Sequence, residues 1–180
     1  MNIHTGSAMD TPLHLAVDRN DLEAARELLG TSTHANNDAN TQAGKFGRTP
    51  LHLAAKSGNV EMILALLDGG GDPNVRNTHG FTPLYVATLA KCVPAMEAIL
   101  RARTTNGRVD VDVDAIDLGG MTPLISACCN GCPLPVVECL LSHGASLIAT
   151  DSIGRRAEDW AREKNFPDIY ALLTLSRQQR

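Results

Sequence analysis

Aromatic side chains are scarce. Three Phe, two Tyr and one Trp make up 3% of the 180 residues, although 43% of the chain is hydrophobic. A core built that way relies on Leu, Val, Ile and Ala, which suits helices packed on small residues better than aromatic-rich strands. Positive charge is not in excess either: 16 basic against 20 acidic residues leave a formal net charge of −4. A nucleic-acid-binding face needs a basic surplus to neutralise phosphate, so no nucleic-acid partner is expected. No apolar run approaches the roughly 18–20 residues of a spanning helix, so no membrane insertion is expected. Residues 1–7 lack a basic segment followed by an apolar one and read as a disordered lead-in, not a secretory leader. An even, spread-out set of cysteines is missing as well. Of five, four (Cys128, Cys129, Cys132, Cys139) fall within residues 128–139. That pattern argues against a secreted disulfide framework and for reduced thiols in the cytoplasm, with the nucleus as second compartment. There is no Gly-rich phosphate loop, no Ser/His/Asp set and no carboxylate pair in a plausible cleft. No catalytic residue and no cofactor are therefore expected.

What the chain does have is repetition. Thr-Pro-Leu recurs at Thr11, Thr49, Thr82 and Thr122, at spacings of 38, 33 and 40 residues. Two copies run on identically to His14-Leu15-Ala16 and His52-Leu53-Ala54. The third continues Tyr85-Val86-Ala87 and the fourth Ile125-Ser126-Ala127. A fifth, degenerate copy begins 34 residues later, where Arg156-Ala157-Glu158-Asp159-Trp160-Ala161 fills the same frame. The threonine hydroxyl suits a helix N-cap, and proline at the first helical position loses only a donor that had no partner. The short helix so begun ends near Asn20, Gly58, Gly131 or Asn165, residues that tolerate a left-handed turn. The third repeat has Lys91 there, so its turn is expected to differ. A second helix follows with apolar residues at helical spacing, for example Val60, Ile63, Leu66 and Leu67. A glycine then stands two residues before each new start, at Gly47, Gly80, Gly120 and Gly154.

A period near 33 carrying Thr-Pro-Leu-His-X-Ala resembles the ankyrin-repeat family, from about residue 8 onward. The resemblance implies an all-α fold: an ankyrin-repeat solenoid of helix-turn-helix units with β-hairpin-like finger loops. It implies one domain over residues 1–180 with five repeats, at roughly 8–38, 39–74, 75–114, 115–148 and 149–180, the last a degenerate capping repeat. Thr11, Thr49, Thr82 and Thr122 become helix caps. His14 and His52 become structural groups bonded across neighbouring repeats. Asn74, and Asn40 with one residue inserted, fall at the family's finger asparagine, which holds a turn by bonding backbone. Extra residues around 31–38 and 103–113, and one in Cys132-Pro133-Leu134-Pro135, are expected in loops. Charged first and last repeats read as wettable caps, so the chain reads as a whole small protein.

Two features invite chemistry. Asp110-Val111-Asp112-Val113-Asp114 starts like a calcium loop, but Ala115 and Met121 occupy the positions that need Gly and Glu. One strand of a finger is the better reading. Cys129-Asn130-Gly131-Cys132 has redox or zinc spacing without a second pair, so no metal is assigned. Cys128 reads as a packing residue, and Cys129 and Cys132 as partly exposed.

The resemblance further implies that a partner protein or peptide meets the finger tips and the exposed side of the inner helices. Carried over by position, the binding residues centre on Lys45, Phe46, Arg48 and Lys56, then Thr78, His79, Phe81 and Leu89, then Leu118 and Met121. They are expected to form an apolar patch with a basic edge. The chain is thus expected to be a non-enzymatic interaction module, an adaptor, targeting or inhibitory scaffold, monomeric when free. Two alternatives are a metal- or redox-responsive regulatory subunit using the Cys128–Cys139 cluster, and a stabilising chaperone-like subunit of an obligate complex. Replacing Phe81 and Met121 by Ala, or Lys45 and Arg48 by Glu, should abolish partner capture and leave the thermal midpoint nearly unchanged. Capture that survives both changes disproves the patch.

Overall fold

The computed structural model describes residues 10–30, 39–104, 107–108 and 110–178. The lead-in and the first insertion, 31–38, lie outside the described residues. Among the described residues, ten helices follow one another in five pairs. The pairs are α1 (Pro12–Asp18) with α2 (Leu22–Gly30), and α3 (Pro50–Ser57) with α4 (Val60–Asp68). Next come α5 (Pro83–Leu89) with α6 (Val93–Leu100), and α7 (Pro123–Cys129) with α8 (Leu134–Ser142). The last is α9 (Ala157–Glu163) with α10 (Pro167–Gln178). Odd-numbered helices pack on one another in order, and so do even-numbered ones, which gives an inner and an outer layer. No described helix is long and apolar enough to cross a membrane.

The inner helices have only seven or eight residues, too few to be stable in isolation. Their starts are fixed by the threonines. Thr11, Thr82 and Thr122 are extended, and each hydroxyl accepts the backbone N–H three residues on, at 3.3, 3.3 and 3.2 Å. Their packing is fixed by Leu13, Leu51, Leu84 and Leu124, all at most 1% exposed. The alanines Ala16, Ala54, Ala87, Ala127 and Ala161 are buried where the layers meet, and small residues there let backbones approach.

Those alanines also close the turns. Each Ala carbonyl accepts the N–H five residues on: Asp21, Asn59, Cys92, Cys132 and Phe166, at 2.9, 3.3, 3.2, 2.9 and 2.9 Å. The residue just before each donor has positive φ: Asn20 at 59°, Gly58 at 72°, Lys91 at 57°, Gly131 at 56° and Asn165 at 58°. The third turn therefore does not differ, contrary to the expectation from Lys91. The closing bond imposes the same left-handed conformation on a lysine, at about 1 kcal/mol. In the fourth repeat the extra residue falls after the closing bond, so the turn is unchanged.

The insertion after the third repeat carries a hairpin, β1 (Arg103–Thr104) paired antiparallel with β2 (Gly107–Arg108). Residues 110–114 are not a strand, which corrects the finger-strand reading. Asp112 Oδ1 accepts the Asp114 N–H at 3.2 Å, and Asp114 accepts the Ser146 N–H at 2.9 Å. Carboxylates that satisfy backbone donors of a turn and of the next repeat replace the strand ladder. The last repeat is kept wettable by ion pairs of Arg156, Glu158, Asp159, Arg162 and Arg177. These are exposed or half-exposed and contribute well under about 1 kcal/mol each.

Lys91→Gly should raise the unfolding free energy by about 0.5–1 kcal/mol, because glycine adopts positive φ without strain. Gly131→Ala should lower it by about 1–3 kcal/mol, since an added Cβ would lie 2.4 Å from the Phe166 ring. Urea denaturation checks both signs.

Candidate functional site

The site is built from fingers held against inner helices. In the finger of the third repeat, Asn77 Oδ1 accepts the N–H groups of His79 and Phe81 at 2.9 and 3.1 Å. Asp117 does the same for Gly119 and Met121, and Asp151 for Ile153 and Arg155. An Asn or Asp five residues before the repeat start thus caps each of these three fingers, whereas Gly44 holds that place in the second repeat. Adjacent fingers are joined backbone to backbone: Thr78 N–H to Phe46 carbonyl at 3.0 Å, Leu118 to His79 at 3.1 Å, and Ser152 to Gly119 at 3.1 Å. Only glycine permits that approach. A Cβ on Gly80 would lie 3.0 Å from Asp117 Cα, and one on Gly120 would lie 2.9 Å from Ser152 N. The outer turns are stitched likewise. Asn40 bonds Gly70 carbonyl and Asp72 N–H, and Asn74 bonds Asp110 carbonyl and Asp112 N–H. These asparagines hold the following repeat's turn, not their own.

In the first three repeats the inner helices reach the fingers through one side chain each. His52 Nδ1 accepts the Thr49 N–H at 3.1 Å and lies 2.8 Å from its hydroxyl, while Nε2 donates to the Phe81 carbonyl at 2.8 Å. His14 bonds Thr11 and the Arg48 carbonyl in the same way. This bonding pattern is that of a neutral imidazole. Burial, the largest influence, holds the His52 pKa down at about 4 from its ordinary 6.5. In the third repeat Tyr85 takes the histidine's place and its hydroxyl donates to Asp117 Oδ2 at 2.9 Å. Burial pushes that phenol above its ordinary range.

On this frame four rings line up. Phe46 and His79 centroids are 5.4 Å apart, His79 and Phe81 5.7 Å, and Phe81 and Tyr85 4.4 Å, stacked with an interplanar angle of 9°. Lys45 Nζ and Arg48 Cζ each lie 4.6 Å from the Phe46 centroid. Between the fingers and the ends of α3 and α5 lies an open cleft of about 360 Å³.

Six of the ten residues expected to bind line this cleft: Phe46, Arg48, Lys56, His79, Phe81 and Leu89. Lys45 instead borders a neighbouring hollow of about 250 Å³ with Asp10 and Asp18. Thr78, Leu118 and Met121 do not line the cleft. Leu118 is 80% exposed at the next finger's tip, and Met121 is half-buried against the core. Phe81 is also half-buried, and its stack on Tyr85 means that Phe81→Ala cannot be structurally silent. That overturns the expectation of an unchanged thermal midpoint. Asn77, Val86 and Ala90 complete the lining, and of these Asn77 and Val86 were missed. Asn77 was readable, because Asp117 and Asp151 recur in its place.

The thiols do not form a comparable site. Burial raises Cys128 to about 12 and Cys139 to about 11, and it raises Cys132 as well. Reactive cysteines need the opposite shift. Cys132 is 2% exposed and its Sγ faces the Thr88 carbonyl, so it is not partly exposed as expected; Cys129 is half-buried. Among the described residues no three His, Cys, Asp or Glu side chains converge to hold a metal.

A family model described as ankyrin repeats in three copies matches residues 13–108 and again 65–151. The chain belongs to the ankyrin-repeat family. It is similar to the B-cell lymphoma 3 protein homolog of Mus musculus, at 31% identity over 92% of this chain and 36% of that protein. It is 33% identical to the palmitoyltransferase AKR1 of Lachancea kluyveri over 84% of this chain and 20% of that one. It is 34% identical to the neurogenic locus notch homolog protein 1 of Xenopus laevis over 73% of this chain and 5% of that one. The chain thus spans about a third or less of these relatives. Ankyrin repeats are in general non-enzymatic modules for protein interaction, and this ankyrin chain presents a largely apolar concavity where fingers and inner helices meet.

The neutral histidine makes ankyrin stacking pH-dependent. The unfolded chain takes up a proton at His52 near pH 6.5, the folded chain only near 4. Stability should be full above pH 6.5 and should fall by about 3 kcal/mol as pH drops to 4. His52→Gln should be less stable at pH 7 and should show a shallower loss across that window, read from urea midpoints.

Proposed function

We propose that this ankyrin-repeat chain is a non-enzymatic adaptor, targeting or inhibitory scaffold whose partner docks in the cleft between the second and third repeats. The observation that carries this reading is the convergence of three rings, one leucine and two cations on one concave site. Aromatic and arginine side chains in a preformed hollow are the usual anchors of interface energy. The cross-bonded fingers support the reading too, because an ordered finger loses little entropy on binding. The five free thiols support a reducing compartment, cytoplasm first and nucleus second. The free chain is a monomer in this reading, and its partner is a protein or peptide.

The test uses residues that the frame does not need. Lys56 and Leu89 are exposed at the ends of α3 and α5. Lys56→Glu with Leu89→Ser should keep the unfolding midpoint and lose the proteins that wild type retains in affinity capture. Leu64→Ser, on the outer layer and 47% exposed, should lose none. Undiminished capture by the folded double variant contradicts the placement of the interface.

A further inference from the structure

We infer that the cleft's occupant is an acidic peptide segment that inserts one large apolar side chain, with its carboxylates over Arg48 and Lys56. This rests on the interface placement proposed above and adds the partner's chemistry to it.

The first ground is charge. The cleft lining contains Arg48 and Lys56 and no Asp or Glu. The ion pairs among the described residues are Glu97 with Arg101 and a group in the last repeat, of Arg155, Arg156, Arg162 and Arg177 with Glu158, Asp159 and Glu163. Lys45, Arg48 and Lys56 therefore have no carboxylate partner there. Carboxylates supplied by a partner are the complement of such a set. Arg48 is also pre-positioned. Its guanidinium lies over the Phe46 ring, 4.6 Å from the centroid, which holds it at the cleft, where its fork of N–H donors suits a carboxylate.

The second ground is shape and polarity. Phe46, His79 and Phe81 form one wall, while Val86 and Leu89 from α5 face the same space. At roughly 30 Å³ per liquid water, a 360 Å³ cleft holds the ring of one aromatic residue with its flanking backbone. The charge order sets a direction. Beyond Phe46, the neighbouring hollow brings in Asp10 and Asp18, which repel further acid toward the first repeat. The occupant therefore has its apolar anchor toward Leu89, acid at Arg48 and Lys56, and neutral or basic residues toward the first repeat.

The test is fluorescence anisotropy with the full chain and short capped, dye-labelled peptides. The probe core is Asp-Glu-Phe-Glu-Asp, compared with a version in which Ala replaces Phe and one in which Lys replaces every acid. The acidic probe should bind at least about ten-fold tighter than either control, and about five-fold weaker when salt rises from about 0.05 to 0.5 M. Arg48→Glu with Lys56→Glu should reverse the preference in favour of the Lys peptide. Equal binding of acidic and basic probes, or no saturation of any probe by about 1 mM, overturns the inference. The two readings fail separately. If capture is lost in the Lys56/Leu89 variant but acidic probes show no preference, the interface stands and its chemistry is wrong. If acidic probes bind as expected but capture survives that variant, the chemistry stands and the interface placement is wrong.

Discussion

One hydrogen-bonded side chain holds the working part of this stack together. An inner helix of seven or eight residues cannot hold itself, and a finger loop has no core of its own. His14 and His52 join the two. Each bonds its own threonine cap on one nitrogen and the next repeat's finger carbonyl on the other. Tyr85 makes the corresponding reach to Asp117. At His52, where burial holds the pKa down at about 4, the ring stays neutral, and the stack inherits an acid sensitivity that its surface charges would not produce. The last repeat shows what happens without the histidine. Asp159 takes the position and turns back to accept the Arg156 N–H of its own helix start.

The same bond shapes the binding surface. Phe81 gives its carbonyl to His52 and its ring to Tyr85, so it belongs to the frame as much as to the cleft. Arg48 gives its carbonyl to His14 and leaves its guanidinium over Phe46. Finger residues therefore divide into backbone that builds and side chains that remain available. Arg48 and His79 fall on the available side, beside Lys56 and Leu89 from the helix ends, and Phe81 and Met121 on the other. The cross-linked fingers present these groups in a fixed spacing. A preorganised surface of that kind contributes affinity by avoiding ordering costs on association.

Much of this was legible in the chain. Thr-Pro-Leu announced each helix start, because the cap and the proline do their work locally. The five alanines and the fingers' glycines followed from fixed positions in the frame. Lys91 misled because local preference disfavours a left-handed lysine, whereas the closing bond to Ala87 and the packing of α5 on α6 impose it. Asp110 to Asp114 misled because alternating Val and Asp mimics a strand, whereas the carboxylates of Asp112 and Asp114 accept the N–H groups of Asp114 and of Ser146 in the next repeat. Membership of the cleft was half legible. Repeat alignment places a residue on a finger, but whether it faces the hollow, as His79 does, or the core, as Met121 does, is decided by the finger's own turn.

Hydrogen-exchange mass spectrometry on the chain with and without a captured partner addresses the central claim most directly, because it reads every segment at once. Binding in the cleft between the second and third repeats should slow exchange in 44–48, 77–81 and 86–90. The outer helices α4 and α6 should be unaffected. Protection confined to those outer helices, or to the fingers of the fourth and fifth repeats with 77–81 unchanged, would contradict it.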